Sequence, residues 1–375
     1  MKGYLLTIAA TLALGWVISY TYVEDPRSPL NRTKDRTCYF LICCILSLFF
    51  GLRIKYNDTY VYIKAYETFA KFPEFWDTFD STLGANPGYT IMTAWMKTQD
   101  VSRYGFTLIH VIIFVLCSVY FFKKYNYGLL FSLFLFFASN TYAVSAAAIK
   151  QATAIALAIL AVDAAIERKW IKYALLLLVA ATFHPYVLLY GLVPLLFYRP
   201  WTKPTYILLA ATVAIGFALE SLLGTIVDIA ALIGDQYSEE GFVGDGINVF
   251  RVLVANVPLF MSFLYRESIF RNSTREEHVI INLSMINGAV MFVGLFGNPI
   301  YFSRLATYFT FFQCSAIPLL LRKMRGKERE LYSVAAVLGY AMFFVYANMM
   351  IQSFDAQFNR ITLFRYLQEF VFKWG

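Results

Sequence analysis

AAAIKQATAIALAILAVDAAIERKWIKYALLLLVAATFHPY, residues 146 to 186, decides how the rest of the chain is read. Two apolar helical runs flank a basic turn. The first opens with Lys150-Gln151 and stays apolar through Thr153 to Ile166; Arg168, Lys169 and Lys172 mark the turn. The second runs from Tyr173 through Thr182 to Phe183-His184-Pro185. A membrane hairpin of this kind puts Lys150 and His184 at one end, opposite the turn. Tyr173 to His184 rises only roughly 17 Å at about 1.5 Å per residue, against a hydrocarbon core of about 30 Å. Either His184 lies at the membrane rim, or the helix continues past Pro185 with a kink. An ionisable side chain at such depth is a functional candidate by default. This end of the hairpin is expected to form one wall of an active site.

The composition agrees with a membrane chain. With 59% hydrophobic and 15% charged residues, and a mean hydropathy of +0.58, a soluble globular domain is excluded. The expected fold class is an all-α polytopic integral membrane protein, read as a single transmembrane domain over 1–375. The net charge of +8 does not point to nucleic acid. Lys and Arg concentrate in short loops between apolar runs, which is the mark of membrane topology. Cys38, Cys43, Cys44, Cys117 and Cys314 lie in apolar runs without metal-ligand spacing and read as free core residues. The first run, Tyr4 to Tyr20, resembles a signal peptide. The basic cluster after it (Arg27, Arg32, Lys34, Arg36) favours an uncleaved anchor.

About twelve spans are expected by hydropathy, at 3–22, 37–54, 104–122, 128–143, 149–166, 171–184, 186–198, 205–223, 249–266, 279–296, 301–321 and 330–352. One set of loops is short and basic, including Lys123-Lys124, Arg168 to Lys172, Arg199 with Lys203, Arg266 to Arg275, and Arg322 to Arg329. The other set holds two longer segments. In 55–103, acids offset the basic residues; 224–248 carries Asp228, Asp235, Glu239, Glu240 and Asp245 and no Lys or Arg. The positive-inside rule makes the first set cytoplasmic and places both termini outside. Within 55–103, Tyr60 to Phe72 has aromatic spacing suited to a surface helix, and Asn86-Pro87-Gly88-Tyr89 is a turn signal before an apolar piece. Phe354, Phe358, Ile361, Phe364 and Leu367 recur at helical spacing, predicting a C-terminal interfacial helix over about 354–372.

Charged residues on the expected outer side run against the topology rule. Arg53 and Lys55 follow the second run with Asp58 close behind; Lys150, His184, Arg251 and Arg304 stand at the ends of others. Basic groups there suit an anionic headgroup, which Arg meets with a bidentate fork and Lys with a point charge. Arg53 and Arg304 also fit snorkelling anchors, and Tyr301, Arg304 and Tyr308 fit an aromatic belt as well as a ligand wall. Asp58 fits a solvated loop acid, and His184 a ring bonded across the break at Pro185. His110, two turns into the third run, suits either a polar core residue or a cavity wall. No glycine-rich phosphate loop, Gly-x-Ser-x-Gly elbow or His-Glu-x-x-His pair is present, so neither a metal nor a cofactor is expected.

Five short motifs resemble the EpsG family of exopolysaccharide polymerases, related in role to the Wzy O-antigen polymerases. They are Gly51-Leu52-Arg53 with Asn57-Asp58 and Tyr62; Asn86-Pro87-Gly88-Tyr89; Ile149-Lys150-Gln151 with Ala154 and Ala156; Phe183-His184-Pro185; and Ser303-Arg304-Leu305. Such proteins usually carry Arg where Lys150 stands, an acid where Asn86 stands, and a Gly-Thr-Asp run near Asp58. The resemblance implies a metal-independent glycosyltransferase in a bacterial inner membrane, its active site facing the periplasm or exterior. Its substrate would be oligosaccharide repeat units on undecaprenyl pyrophosphate, for O-antigen, capsule or exopolysaccharide. It also implies surrounding membrane lipid and, as a further partner, a chain-length regulator. In that setting Arg53, Lys150 and Arg304 would hold the pyrophosphate, and His184 or else Asp58 would take the acceptor proton. The tyrosines in 55–103, among them Tyr62 and Tyr89, would supply a sugar-stacking surface, and Gln151 and Tyr301 would also bind substrate. The alternatives are another membrane glycosyltransferase, such as an O-antigen ligase, or a flippase for the same lipid-linked sugars.

Overall fold

In the computed structural model, residues 1–24, 29–77, 86–232, 244–351 and 354–371 are described. The protein is an all-α integral membrane protein with one two-stranded ribbon among the described residues. Five helices there are long and apolar enough to cross a bilayer: Lys2–Tyr20, Arg103–Lys124, Ile149–Ile166, Arg275–Phe296 and Gly326–Met350. Shorter apolar helices cover Leu129–Ala138, Trp170–Ala181, Pro185–Phe197 and Lys203–Leu219.

Helix length and composition therefore do not establish the expected count of about twelve, and the local reasons are visible. The predicted run 128–143 stops at Ala138, because Asn140 takes a left-handed backbone (φ 60°) in the turn that follows. Its ten residues rise only about 15 Å, half a hydrocarbon core. The run 249–266 is three pieces, Val249–Ala255, Val257–Leu264 and Arg266–Ile269. Asn256 sits at the first break, and Pro258, which has no N–H, starts the next turn. The run 186–198 is a 3-10 helix, Pro185–Phe197, containing Pro194. The second helix begins at Pro29 rather than 37, so Arg32, Lys34 and Arg36 are helical instead of looped. Arg27 lies outside the described residues.

The chain divides into two compact units interleaved in sequence. The first holds Met1–Ala161, Ile171–Val187 and Phe344–Gly375. In it Lys2–Glu24, Pro29–Gly51 and Arg103–Lys124 pack together, with Leu129–Ala138 against the first. An aromatic cluster fills this packing. Tyr4, 1% exposed, stacks on Phe49 (5.3 Å) and Phe354 (4.7 Å), and Phe50 meets Tyr142 at 4.6 Å. Rings of this size each bury large apolar areas, and offset or tilted pairs add about 0.5–1.5 kcal/mol beyond that burial.

The C-terminal segment closes the first unit. The interfacial helix expected over 354–372 is instead a short turn, Phe354–Gln357, a strand β2 at Asn359–Arg360, and a helix Leu363–Val371. Strand β2 pairs antiparallel with β1, Arg53–Lys55, placing Arg360 opposite Arg53. Phe358 stacks on Phe49 at 5.0 Å, and Ile361 N–H donates to the Leu52 carbonyl. Those aromatic residues bind protein rather than the membrane surface; Leu363, Phe364 and Leu367 remain exposed on the last helix.

The second unit holds Val162–Trp170 and Leu188–Phe343. Its centre is the pair Arg275–Val293 and Pro299–Lys323, flanked by Lys203–Leu232, Val249–Ala255 and Val257–Leu264. Buried amides stitch it together. Asn282 donates to the Leu196 and Tyr198 carbonyls, and Asn256 to Val252 and Gly288. Thr310 donates to the Asn287 Oδ1. The helix Arg275–Val293 starts with a capping box between Thr274 and Glu277, and Glu277 also pairs with Lys323 at 2.6 Å. Of the acidic stretch 224–248, the helix Lys203–Leu232 covers the beginning; Asp235, Glu239 and Glu240 lie outside the described residues.

Candidate functional site

Arg53 opens strand β1, two residues past the end of the second helix at Gly51, and is wholly enclosed, at 0% exposure. Gly51 brings the chain there, accepting a 2.7 Å bond from Thr107 at its carbonyl. A Cβ on Gly51 would meet the Leu108 backbone at 3.0 Å, so the approach needs glycine. The Arg53 guanidinium donates from Nε to Thr59 Oγ1 (2.8 Å) and from Nη1 to the Phe50 carbonyl (2.8 Å). Its Nη2 is buried with no hydrogen-bond partner, and no carboxylate pairs with it among the described residues. Thr59 in turn donates to the Tyr56 carbonyl at 2.6 Å and reaches the Ala146 carbonyl at 3.4 Å, just before Ile149–Ile166 begins. A buried cation without a counter-ion is costly, so this charge is retained against the stability of the fold.

The second and fourth motifs dock on each other. Asn86-Pro87-Gly88-Tyr89 forms the start of the helix Pro87–Thr98, with proline at its first position. Gly88 N–H donates to the Thr182 carbonyl at 2.9 Å, immediately before Phe183-His184-Pro185. A Cβ on Gly88 would stand 2.0 Å from Thr182 Oγ1, so only glycine permits this contact. The third motif joins through the next residue. The Lys150 ammonium stands 4.7 Å from the centroid of the Tyr89 ring. Lys150 lies in the first turn of its helix, where the dipole opposes a cation by about 0.3–1 kcal/mol; a cation–π contact of about 0.5–2 kcal/mol offsets that.

Tyr89 also contacts Tyr62 (6.3 Å) and His110 (5.9 Å), so it lies between the surface helix and the third span. His110 is 1% exposed, shares a 2.7 Å bond with Thr153 through Nδ1, and has no partner at Nε2. It lies within electrostatic range of Arg53. Thr59, His110 and Thr153 are the members that sequence reasoning underrated. The spacing of Thr153 three residues after Lys150 was the available signal.

The other predicted residues divide. His184 is half-buried, with its ring 5.4 Å from Tyr186. Gln151 is buried beside Lys150. Asp58 is exposed and stands at the N-cap of Thr59–Glu67 without a side-chain capping bond. Arg304, exposed, and Tyr301, half-buried, belong to Pro299–Lys323 in the second unit, as does the fifth motif. His278 bonds Ser273 at 2.7 Å in that unit. No group of three or more His, Cys, Asp or Glu suited to a metal occurs among the described residues. In the segment 55–103, Tyr66 donates to the Val101 carbonyl at 2.6 Å, and burial, reinforced by Asp100, pushes its phenol up to about 12. Burial likewise pushes Tyr56 up to about 12.

Among the described residues, five helices long and apolar enough to cross a bilayer put the chain in the class of helical integral membrane proteins. The sequence model of the EpsG family matches residues 36–362, and the chain belongs to that family. Its general role is therefore in exopolysaccharide biosynthesis. Searches of the curated proteins and of the solved structures returned no match.

Proposed function

We propose that the protein polymerises oligosaccharide repeat units carried on undecaprenyl pyrophosphate, at the outer leaflet of a bacterial cell membrane. The observation that carries this reading is the enclosed Arg53, whose guanidinium keeps its charge with no carboxylate to balance it. Being enclosed, Arg53 does not touch the diphosphate as the sequence led us to expect; its charge acts on that anion through the protein, where screening is weak. In the reaction, the bond between the anomeric carbon of the growing chain and the pyrophosphate oxygen breaks. The electron pair leaves with the undecaprenyl pyrophosphate. The hydroxyl at the non-reducing end of the incoming unit forms the new bond to that carbon. Its proton passes to His184, or to Asp58.

Lys150 stabilises the charge growing on the departing diphosphate, Arg53 holds the loop 53–59 and adds its field there, and Arg304 is a further candidate for binding phosphate. Stabilising charge that develops in the transition state is often the largest catalytic contribution, about 3–4 kcal/mol for one donor. Tyr62 and Tyr89 offer the sugars a stacking surface, with Gln151 beside Lys150. No metal is required by this scheme. Lys150→Ala or Arg304→Ala should leave a folded protein that yields only single repeat units on a polysaccharide gel. Arg53→Met should also stop polymerisation while melting no lower than the parent, since it removes an uncompensated buried charge. Normal polymer from Lys150→Ala would overturn the assignment.

A further inference from the structure

A cavity of about 170 Å³ lies in the first unit, between the loop after β1, the turn after Leu129–Ala138, and the C-terminal segment. Its polar lining is Asn57, Asn140, Asn348 and Gln357, and its aromatic lining is Tyr56 and Phe354, with rings 5.8 Å apart. The rest of the wall is alanine and valine. None of its ten lining residues carries a charge at neutral pH.

The wall is shaped by unusual backbone. Asn57 and Asn140 both hold left-handed conformations, φ 42° and 60°. Asn348 sits in a π-helical turn, Tyr346–Ile351, that directly follows the helix Gly326–Val345. Both features cost energy and recur at functional sites. Asn348 is 5% exposed, and its amide nitrogen donates to Asn140 Oδ1 (2.9 Å) and to the Phe344 carbonyl (3.0 Å). This fixes the amide's orientation on the cavity floor, while Asn57 stands exposed at the rim.

The chemistry of the lining selects its occupant. A side-chain amide both donates and accepts, so four of them match a ligand dense in hydroxyl groups. Aromatic faces give such a ligand an apolar surface to lie on. The lack of charge disfavours phosphates, carboxylates and amines. The size suits one six-membered ring, since a cavity of about 150 Å³ holds a single benzene.

We propose that this cavity binds one neutral pyranose ring. Taking that ring as part of a lipid-linked repeat unit rests on the polymerase reading above; the cavity's preference for a neutral pyranose does not. The loop after Arg53 links the two places, because the Tyr56 carbonyl accepts from the same Thr59 that receives Arg53.

The test is saturation-transfer difference NMR on the full chain in lipid nanodiscs, free of sugar-based detergent. The probes are methyl glucoside, methyl galactoside and methyl N-acetylglucosaminide, with glucuronate and inorganic phosphate as charged controls. Transfer to at least one neutral glycoside is expected, falling at least fivefold in Asn140→Gly, which keeps the left-handed backbone, and in Asn348→Leu, which fills the floor. Circular dichroism and melting of each variant report its fold. Should Asn348→Leu fail to fold, Asn140→Gly and Asn57→Gly carry the comparison. Equal transfer in parent and folded variants, or transfer to none of the neutral glycosides, overturns the proposal. Glycoside binding lost in Asn140→Gly, in a protein that forms no polymer from lipid-linked units, keeps the cavity and refutes the polymerase instead.

Discussion

Gly88→Ala tests whether motifs about a hundred residues apart in sequence truly meet. The added Cβ would lie 2.0 Å from Thr182 Oγ1, 2.8 Å from Thr182 Cβ and 3.2 Å from the Phe183 ring. The first two are impossible separations, so either the helix Pro87–Thr98 moves away or the segment around Thr182 gives. Thr182 Oγ1 is held by a 2.6 Å bond to the Val179 carbonyl, which resists rotation of its side chain. Overpacking of this kind costs about 1–3 kcal/mol. The same displacement strains the 2.9 Å bond from Gly88 N–H to the Thr182 carbonyl, worth about 1 kcal/mol net, and draws Tyr89 away from Lys150. Melting followed by size-exclusion chromatography should therefore show a lower transition, and a polysaccharide gel should show shortened or absent ladders. Thr182→Gly removes both impossible contacts. The double variant should recover part of the loss, with a coupling of about 0.5–3 kcal/mol in a double-mutant cycle. A Gly88→Ala protein that melts with the parent, or additive effects of the two substitutions, would refute the docking.

Two further outcomes follow from the same structure. The Lys323–Glu277 pair (2.6 Å, side chains 19% and 11% exposed) should respond strongly to Lys323→Ala, by about 3 kcal/mol, because a buried carboxylate loses its counter-ion. Lys71→Ala breaks a pair exposed at 46% and 76% and should cost under about 1 kcal/mol. Denaturation of both variants decides; similar losses would contradict the burial argument. Tyr56 and Tyr66 have phenols raised to about 12 in the folded protein, above their ordinary value of 10. Each contributes stability in full below pH 10 that is lost as pH rises through about 12. Tyrosinate absorbance and melting should therefore change together across that window, and Tyr66→Phe should flatten the dependence. A transition unchanged between pH 10 and 12 would exclude it.

The sequence alone determined the class of the protein and the motifs by which its family is recognised. Long apolar runs cannot remain in water, so composition and hydropathy were sufficient for a helical membrane protein. A helix from about Tyr60 was legible because its aromatic spacing is local, although it ends at Glu67 rather than Phe72. Asn86-Pro87-Gly88-Tyr89, expected as a turn, instead starts the helix Pro87–Thr98. Tertiary structure decided which runs end early, since Asn140 and the Asn256–Pro258 break act through backbone conformation that hydropathy averages away. It also decided that the C-terminal aromatics bury against Tyr4 and Phe49, and that β2 pairs with the strand bearing Arg53. Likewise, only the folded chain sets Gly88 on Thr182, Lys150 on Tyr89, and Asn140 against Asn348. Such pairings join residues far apart along the chain, and no window of sequence contains both partners.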